Sequence, residues 1–224
     1  MSKFWGTNQR FWNQIVTSMQ MPSLIKAIER DIKERNAVVL QLVNTNEAAQ
    51  NRAISRLEEE DSLEDLDMTP RQAFMDYVQN GFPVIQFQTY EDENGNRRSE
   101  PVKDSNGDFV VNPEAVELRD ELLDRLGAIR VPDGPLEMIL NHFGVNKVAE
   151  VTGRTQRVIQ DPKTGKTILE RRSPAKAGAD ADAFNADKKQ ILVFSDAGGT
   201  GRSYHAGLEY KNQRTRKHYL VQPG

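Results

Sequence analysis

The chain has 224 residues, of which 37% are hydrophobic and 28% are charged, and its formal net charge is −3. This composition predicts a folded chain with a buried core, and no apolar run approaches the ~20 residues that a bilayer-spanning helix needs. The absence of Cys excludes disulfides and cysteine metal sites, and three scattered His argue against a structural zinc. The N-terminus lacks the layout of a secretory signal. We therefore expect a soluble, unexported chain with no membrane partner.

Charge is distributed unevenly along the chain. Seven of the ten residues from 58 to 67 are acidic, whereas residues 201–224 contain five Lys or Arg and one acid. Such asymmetry suggests a polyanion-binding surface near the C-terminus, but charge alone favours two solvated faces.

The first 60 residues predict a helix, a buried strand and a second helix. Apolar residues recur every three to five positions from Phe11 to Ile32, which predicts a helix over 11–34 that breaks at Pro22 and restarts at Ser23. The β-branched run AVVLQLVNT (37–45) predicts a buried strand, and Asn46 is placed to cap the helix that follows. This order is typical of a parallel sheet covered on both faces.

The middle of the chain loses this regularity. Helices are predicted at TPRQAFMDYVQN, NPEAVELRDELLDRLGAI, GPLEMILNHFG and VNKVAEVTGRT, the second of them opened by Asn112 and Pro113. Hairpin turns are predicted at Asn94-Gly95 and Asn106-Gly107, and a flexible connection over 173–187. A strand resumes at KQILVFS, and KHYLVQ (217–222) predicts the last one. We therefore predict an α/β lobe in two parts, 1–60 and 184–224, separated by a mainly helical insertion, 61–183, with one or two β-hairpins.

The stretch QDPKTGKT (160–167) imitates a phosphate-binding loop. Its Gly-Lys-Thr ending fits, but Gln160 stands where the first glycine belongs, Pro162 lies inside, and no helix is predicted to follow. A hairpin with Thr164-Gly165 in its turn fits better. We find no loop able to hold a triphosphate by itself.

The stretch ILVFSDAGGTG (191–201) places polar residues at the carboxyl end of a buried strand, where open α/β sheets bind ligands. Glycines allow a phosphate to approach the backbone, and hydroxyls and a carboxylate stand beside them. The same pattern is typical of a turn in which the chain doubles back, and the residues alone leave both interpretations open. A weaker alternative is an acid–base pair of Asp196 and His205.

Four segments, taken in order, resemble one protein family. ILVFSDAGGTGRSYHAGLEYKNQRTRKHYLV resembles the motif V region of the strawberry notch-like helicases, which are superfamily 2 nucleic-acid-dependent ATPases. FWGTNQRFWNQIVTSMQMPSLI, AVVLQLVNTNEA and LEMILNHFGVNKVAEVTGRTQRVI are similar to further segments of that family. The resemblance implies an α/β fold: the RecA-like (P-loop NTPase-type) parallel sheet of a second motor lobe, flanked by helices.

The resemblance also implies roles for individual residues at the cleft between two motor lobes. Asp196, Gly198 and Gly199 would form part of the nucleotide side. The nucleic-acid side would comprise Ser195, Thr200, Gly201 and Arg202, together with a basic run made of Lys211, Asn212, Gln213, Arg214 and Arg216. Arg202 departs from the small or aliphatic residue expected at its position.

The family's other catalytic parts are not found in these 224 residues, neither the Walker A lysine, nor the Asp-Glu box, nor the motif VI arginines. We therefore expect a partial lobe that neither hydrolyses ATP nor holds ATP and Mg²⁺ alone. Its expected partners are a first RecA-like lobe, in the same or a neighbouring polypeptide, and DNA or RNA without sequence specificity. The alternative is a free-standing phage or mobile-element accessory protein without catalysis. For both we expect the cytoplasm of a bacterial or phage-infected cell.

Overall fold

The computed structural model describes residues 2–43, 45, 47–55, 62–63, 69–161, 164–199 and 203–221. The chain divides into two compact units, one of Met1–Thr7 and Arg71–Arg130 and one of Asn8–Pro70 and Val131–Gly224. The predicted insertion, 61–183, therefore supplies most of the first unit, but its residues 61–70 and 131–183 belong to the second. Within the described ranges, no helix is both long and apolar enough to cross a membrane.

The elements follow one another in the order α1 (Ser2–Lys33), β1 (Ala37–Leu42), α2 (Glu47–Ser55), α3 (Pro70–Gly81), β2 (Phe87–Glu91), β3 (Arg97–Pro101), α4 (Pro113–Ala128), α5 (Pro135–Phe143), β4 (Val148–Val151), β5 (Gln156–Gln160), β6 (Thr167–Arg171), α6 (Pro174–Asn185), β7 (Ile191–Ser195), α7 (Asp196–Gly199) and β8 (Arg216–Leu220). Four of the strands form a parallel sheet in the order β4-β7-β1-β8. β2 pairs with β3, and β5 with β6, as separate antiparallel ribbons.

Both faces of the parallel sheet are covered. On one face, Met21 and Ile28 of α1 and Ile139 of α5 are completely buried against side chains of β1, β4 and β7. On the other face, Phe184 of α6 and Tyr204 pack against the alternate side chains of the same strands. Because all three strands are buried on both faces, they are apolar at nearly every position. The predicted RecA-like α/β class is confirmed.

Helix α1 is continuous through Pro22, so the predicted break is wrong. A proline inside a helix costs about 3 kcal/mol through a lost hydrogen bond and a steric clash. Met21, Ile25 and Ile28 surround this position and are all buried, and their burial offsets that cost.

The predicted helix at VNKVAEVTGRT is also wrong, since Val148–Val151 form β4. These four residues are all buried and pair in register with Ile191–Phe194 of β7. A short apolar run is compatible with a buried strand or a buried helix, and only the partner strand decides between them. A segment assigned to the insertion thus supplies a strand of the central sheet.

The predicted flexible connection over 173–187 is likewise wrong, because it contains α6. The Ser173 hydroxyl accepts from the backbone N–H of Lys176 at 3.4 Å, which caps the helix. Ala177, Ala181 and Phe184 are buried at spacings of four and three. Because two of these three residues are alanines, the apolar stripe was not evident in the sequence. The small side chains allow the helix to pack closely on the sheet.

The predicted turns are confirmed. Gly95, Gly107 and Gly165 adopt positive φ values of 74°, 88° and 70° in hairpin turns, which glycine does without strain. Gly165 joins β5 to β6, so the imitation phosphate loop is a hairpin. Asn112 caps α4 as predicted, because its side chain accepts from two backbone N–H groups.

Candidate functional site

The strand β7 ends at the predicted ligand-binding turn. Ser195 is buried and pairs with Leu42 at the end of β1, and the exposed Asp196 begins the short helix α7. The Asp196 carboxylate accepts a hydrogen bond from the Gln41 amide at 3.1 Å. His205 contacts the Ser203 hydroxyl at 2.7 Å, and the acid–base pair of Asp196 and His205 stays a hypothesis.

Two glycines of this turn are required by the chain's own packing. A Cβ at Gly198 would lie 1.8 Å from the carbonyl oxygen of Val151, and one at Gly199 would lie 2.7 Å from the Phe194 ring. The Tyr204 hydroxyl also donates to the Gly198 carbonyl at 3.0 Å. The turn is thus packed closely against the end of β4, a reason for glycine that is independent of any ligand.

A pocket of about 240 Å³ opens beside Gly198, where β4 ends and α6 begins. Thr152, Gly153, Thr155 and Ser173 are among the residues that line it. Small-molecule sites usually measure roughly 300–1,000 Å³. This pocket is therefore smaller than a typical nucleotide site and suits a group the size of one phosphate or sugar.

A completely buried carboxylate, Glu150, organises the wall of the pocket. Its Oε1 accepts from the Thr152 hydroxyl at 2.7 Å and from Arg154 Nε at 2.5 Å, and its Oε2 accepts from Arg157 Nη1 at 2.8 Å. Burial by itself raises the pKa of Glu150, but the guanidinium groups of Arg154, Arg172 and Arg157 outweigh it and lower the pKa to about 2. Glu150 is thus ionised inside the protein.

The arginines of this cluster carry further acidic partners. Arg154 donates to Glu137 at 2.7 Å, Arg157 to Glu170 at 2.7 Å and Arg172 to Asp180 at 3.1 Å. Although Arg154 and Arg172 line the pocket, their charges are compensated within the chain. The sequence analysis missed this cluster. Its signal in the sequence is Glu150 inside the apolar run VAEV, followed by Arg154, Arg157 and Arg172.

Most of the predicted basic run has structural partners. Asn212 is completely buried, and its side-chain amide donates to the Phe184 carbonyl at 2.8 Å. Gln213 donates to the Gly207 carbonyl at 2.7 Å, and Arg214 forms an ion pair with Asp187 at 2.7 Å. Lys211 is exposed.

Arg216 stabilises the same loop through its guanidinium. It donates to the carbonyls of Tyr204 at 3.1 Å and Arg214 at 2.7 Å and to the Asn212 side chain at 2.9 Å. Its guanidinium carbon also lies 5.1 Å from the centre of the Phe184 ring. Partial burial lowers the pKa of Arg216. These contacts use donors that the sequence interpretation assigned to phosphates.

The structure does not bring the turn and the basic run together. Arg216 pairs with Ala37 at the start of β1, whereas Ser195 pairs with Leu42 at its end. A strand of this length spans roughly 17–20 Å, so the two groups lie at opposite edges of the sheet. The remaining predicted site residues, Thr200, Gly201 and Arg202, lie outside the described residues.

Comparisons with known proteins agree with this architecture. Residues 134–224 match the model of a helicase family described as the C-terminal domain on Strawberry notch homologue. The chain is 29% identical over 135 residues to strawberry notch homolog 1 of Rattus norvegicus, covering 54% of this chain and 11% of that protein. It is 31% identical over 127 residues to strawberry notch homolog 1 of Gallus gallus, covering 51% of this chain and 10% of that protein. It is 26% identical over 116 residues to FORGETTER 1 of Arabidopsis thaliana, covering 48% of this chain and 9% of that protein.

The chain thus matches about a tenth of the length of these curated relatives. They come from animals and a plant, so they do not support the expected bacterial or phage origin. No solved structure matches the chain. The resemblance inferred from the sequence is confirmed, because residues 134–224 match the model of the strawberry notch C-terminal helicase domain.

Proposed function

We propose that this chain acts as the second motor lobe, in part, of a nucleic-acid-dependent ATPase, and that its working surface is the carboxyl edge of the parallel sheet. The observation that carries the proposal is the meeting of the β4 and β7 ends around the pocket beside Gly198. Ligands of open α/β sheets bind outside the carboxyl ends of the strands. The Ser173 hydroxyl accepts from the backbone N–H of Lys176 and therefore keeps its own hydrogen to donate to a phosphate or sugar oxygen there.

The described residues do not fit a whole nucleoside triphosphate. The pocket measures about 240 Å³, and the charges of Arg154 and Arg172 are compensated by Glu150 and Asp180. We therefore expect ATP and Mg²⁺ to bind only when a first RecA-like lobe completes the cleft, with Asp196 and Gly198 on this chain's side of it. No catalytic step is assigned to residues of this chain.

Nucleic-acid contact is proposed at the same edge through Ser195. The further contribution of Thr200, Gly201 and Arg202, which lie outside the described residues, is proposed from the family resemblance alone. The position of Ser195, which closes β7 at the carboxyl edge, supports this proposal. The backbone of DNA or RNA would then be bound through phosphates, with an affinity that falls as salt rises. Lys211 lies in the loop that is hydrogen-bonded at the opposite edge of the sheet, where the strands begin. It would contribute only long-range electrostatic attraction to the nucleic acid.

A matched pair of substitutions tests this location. Arg202→Ala and Lys211→Ala each remove one positive charge, so their long-range electrostatic effects are similar. Fluorescence anisotropy with labelled single-stranded DNA and RNA at 50–200 mM salt should show weak, salt-dependent binding. Arg202→Ala should weaken it several-fold and reduce the salt slope by about one, whereas Lys211→Ala should change it little. A larger loss of affinity in Lys211→Ala than in Arg202→Ala would place the contact at the amino ends of the sheet strands. Binding that does not depend on salt would contradict the proposal.

An ATPase assay tests the incomplete cleft. The purified chain should show no turnover above background with ATP and Mg²⁺, with or without DNA or RNA, because no described group is placed to hold the γ-phosphate. Turnover by the chain alone, retained after repurification and lost on Asp196→Ala, would overturn the proposal.

A further inference from the structure

A three-way β-junction lies in the unit of Arg71–Arg130. The backbone N–H of Gln86 donates to the Val110 carbonyl at 2.8 Å, Val110 donates to Val102 at 2.9 Å, and Val102 donates back to Gln86 at 2.8 Å. Three antiparallel pairs leave this centre, namely Ile85 with Val111, Phe87 with Pro101, and Lys103 with Phe109. Each of these six residues neighbours one of the three central residues in sequence.

The six residues share one face of the junction. Successive side chains of a strand point to opposite faces, and opposed residues of an antiparallel pair point to the same face. The three central residues therefore point one way and the six neighbours the other. We call these six the apolar ring: Ile85, Phe87, Pro101, Lys103, Phe109 and Val111.

The apolar ring faces solvent, although strand alternation normally buries such a face. Phe87 is 56% exposed, Phe109 51%, Val111 47% and Ile85 37%, whereas Val102 and Val110 on the other face are half-buried. Since an aromatic side chain offers roughly 200 Å², each phenylalanine leaves about 100 Å² uncovered. Contiguous apolar patches of a few hundred Å² commonly mark interaction sites.

The size and charge of the apolar ring restrict its partner. Four such side chains expose on the order of 350 Å², less than half of the ~800 Å² that each partner contributes to a standard interface. A stable dimer of this chain through the apolar ring alone is therefore not expected. Lys103 is the one charged member, and its ammonium lies 5.2 Å from the centre of the Phe109 ring. A partner should thus offer apolar side chains and a carboxylate.

We propose that the apolar ring is the docking site for one amphipathic helix of a partner protein, with an Asp or Glu at the edge of its apolar stripe opposite Lys103. Backbone groups at the centre of the junction are hydrogen-bonded to one another, so the centre of the apolar ring offers a partner side chains rather than backbone groups. Apolar anchors spaced three and four residues apart on a helix cover a compact patch of this kind. The site is independent of the motor function proposed above.

Synthetic peptides test the proposal. The first is an 18-residue amphipathic helix with a leucine stripe flanked by Glu, and the second has Lys at the same positions. Isothermal titration with the whole chain should give a Kd in the tens of micromolar for the Glu peptide and at least tenfold weaker binding for the Lys peptide. Neither peptide binding, or equal binding of both, would overturn the proposal.

Three variants complete the test. Phe87→Ser should weaken binding of the Glu peptide at least tenfold, while Leu118→Ser removes a leucine that is 58% exposed outside the apolar ring and should leave binding unchanged. Lys103→Glu changes only an exposed charge and should reverse the preference toward the Lys peptide. An unreversed preference contradicts the role of Lys103. A concentration-dependent dimer in sedimentation that Phe87→Ser abolishes would make a second copy the partner and refute the proposal.

Discussion

Replacing Glu150 by Gln should destabilise the sheet-containing unit severely while preserving the size and shape of the side chain. The carboxylate is completely buried, and its charge is bound by Arg154 and Arg157. Its pKa falls from 4.5 to about 2, and one pKa unit corresponds to ~1.36 kcal/mol, so ionisation of Glu150 contributes about 3 kcal/mol. Removing one partner of a buried ion pair typically costs about 3–5 kcal/mol. We expect a loss within that range.

Urea denaturation followed by circular dichroism measures this loss. The matched control is Glu29→Gln, because Glu29 is half-exposed and pairs with His142 at 2.9 Å, and exposed pairs contribute about 0–1 kcal/mol. The folded-state pKa of Glu150 lies below its unfolded value, so its contribution is present above about pH 4.5 and is lost as pH falls toward 2. Wild type should therefore lose stability over this range more steeply than Glu150→Gln. Equal losses of unfolding free energy in Glu150→Gln and Glu29→Gln at pH 7 would refute this reasoning.

The remaining predictions concern single residues of the second unit. Gly198→Ala should cost several kcal/mol in urea denaturation because its Cβ would overlap the carbonyl at the end of β4, whereas Gly178→Ala, with nothing within 4 Å, should stabilise α6 by about 0.5–1 kcal/mol. Similar stabilities of the two variants would contradict this. Arg216→Lys should lower stability by about 2 kcal/mol, since one ammonium cannot reproduce the guanidinium contacts with several carbonyls; an unchanged urea midpoint would count against it. Burial and Asp31 raise the pKa of Tyr219 to about 12, so Asp31→Asn should lower it toward 10 in an alkaline absorbance titration with Tyr219→Phe as reference. An unmoved titration would exclude Asp31 as a cause.

Features set by neighbours in the chain were predicted correctly. The turn at Gly165 and the cap at Asn112 depend on φ angles and on side-chain bonds that span a few residues. The long β-branched run of β1 and the turn after β7 likewise required no knowledge of distant contacts. The resemblance to the strawberry notch family depended on the same local segments.

Features that depend on distant partners were decided by the tertiary structure. Val148–Val151 became a strand because β7 supplies its hydrogen bonds, and Pro22 is tolerated because α1 is buried around it. Asn212 and Arg216 fit a phosphate-binding run by residue type, but buried carbonyls across the loop bind their donors.

The sequence by itself determined the fold class, the hairpins, the strand that ends at Ser195 and the family resemblance, because periodicity, turn residues and motif order are local properties. Only the tertiary structure decided that the basic run lies at the opposite edge of the sheet from the turn at Ser195. It also decided that Glu150 compensates Arg154 in the pocket wall and the neighbouring Arg157. The first depends on strand pairing between residues far apart in the chain, and the second on the burial of ion pairs, which strengthen when packing has excluded water.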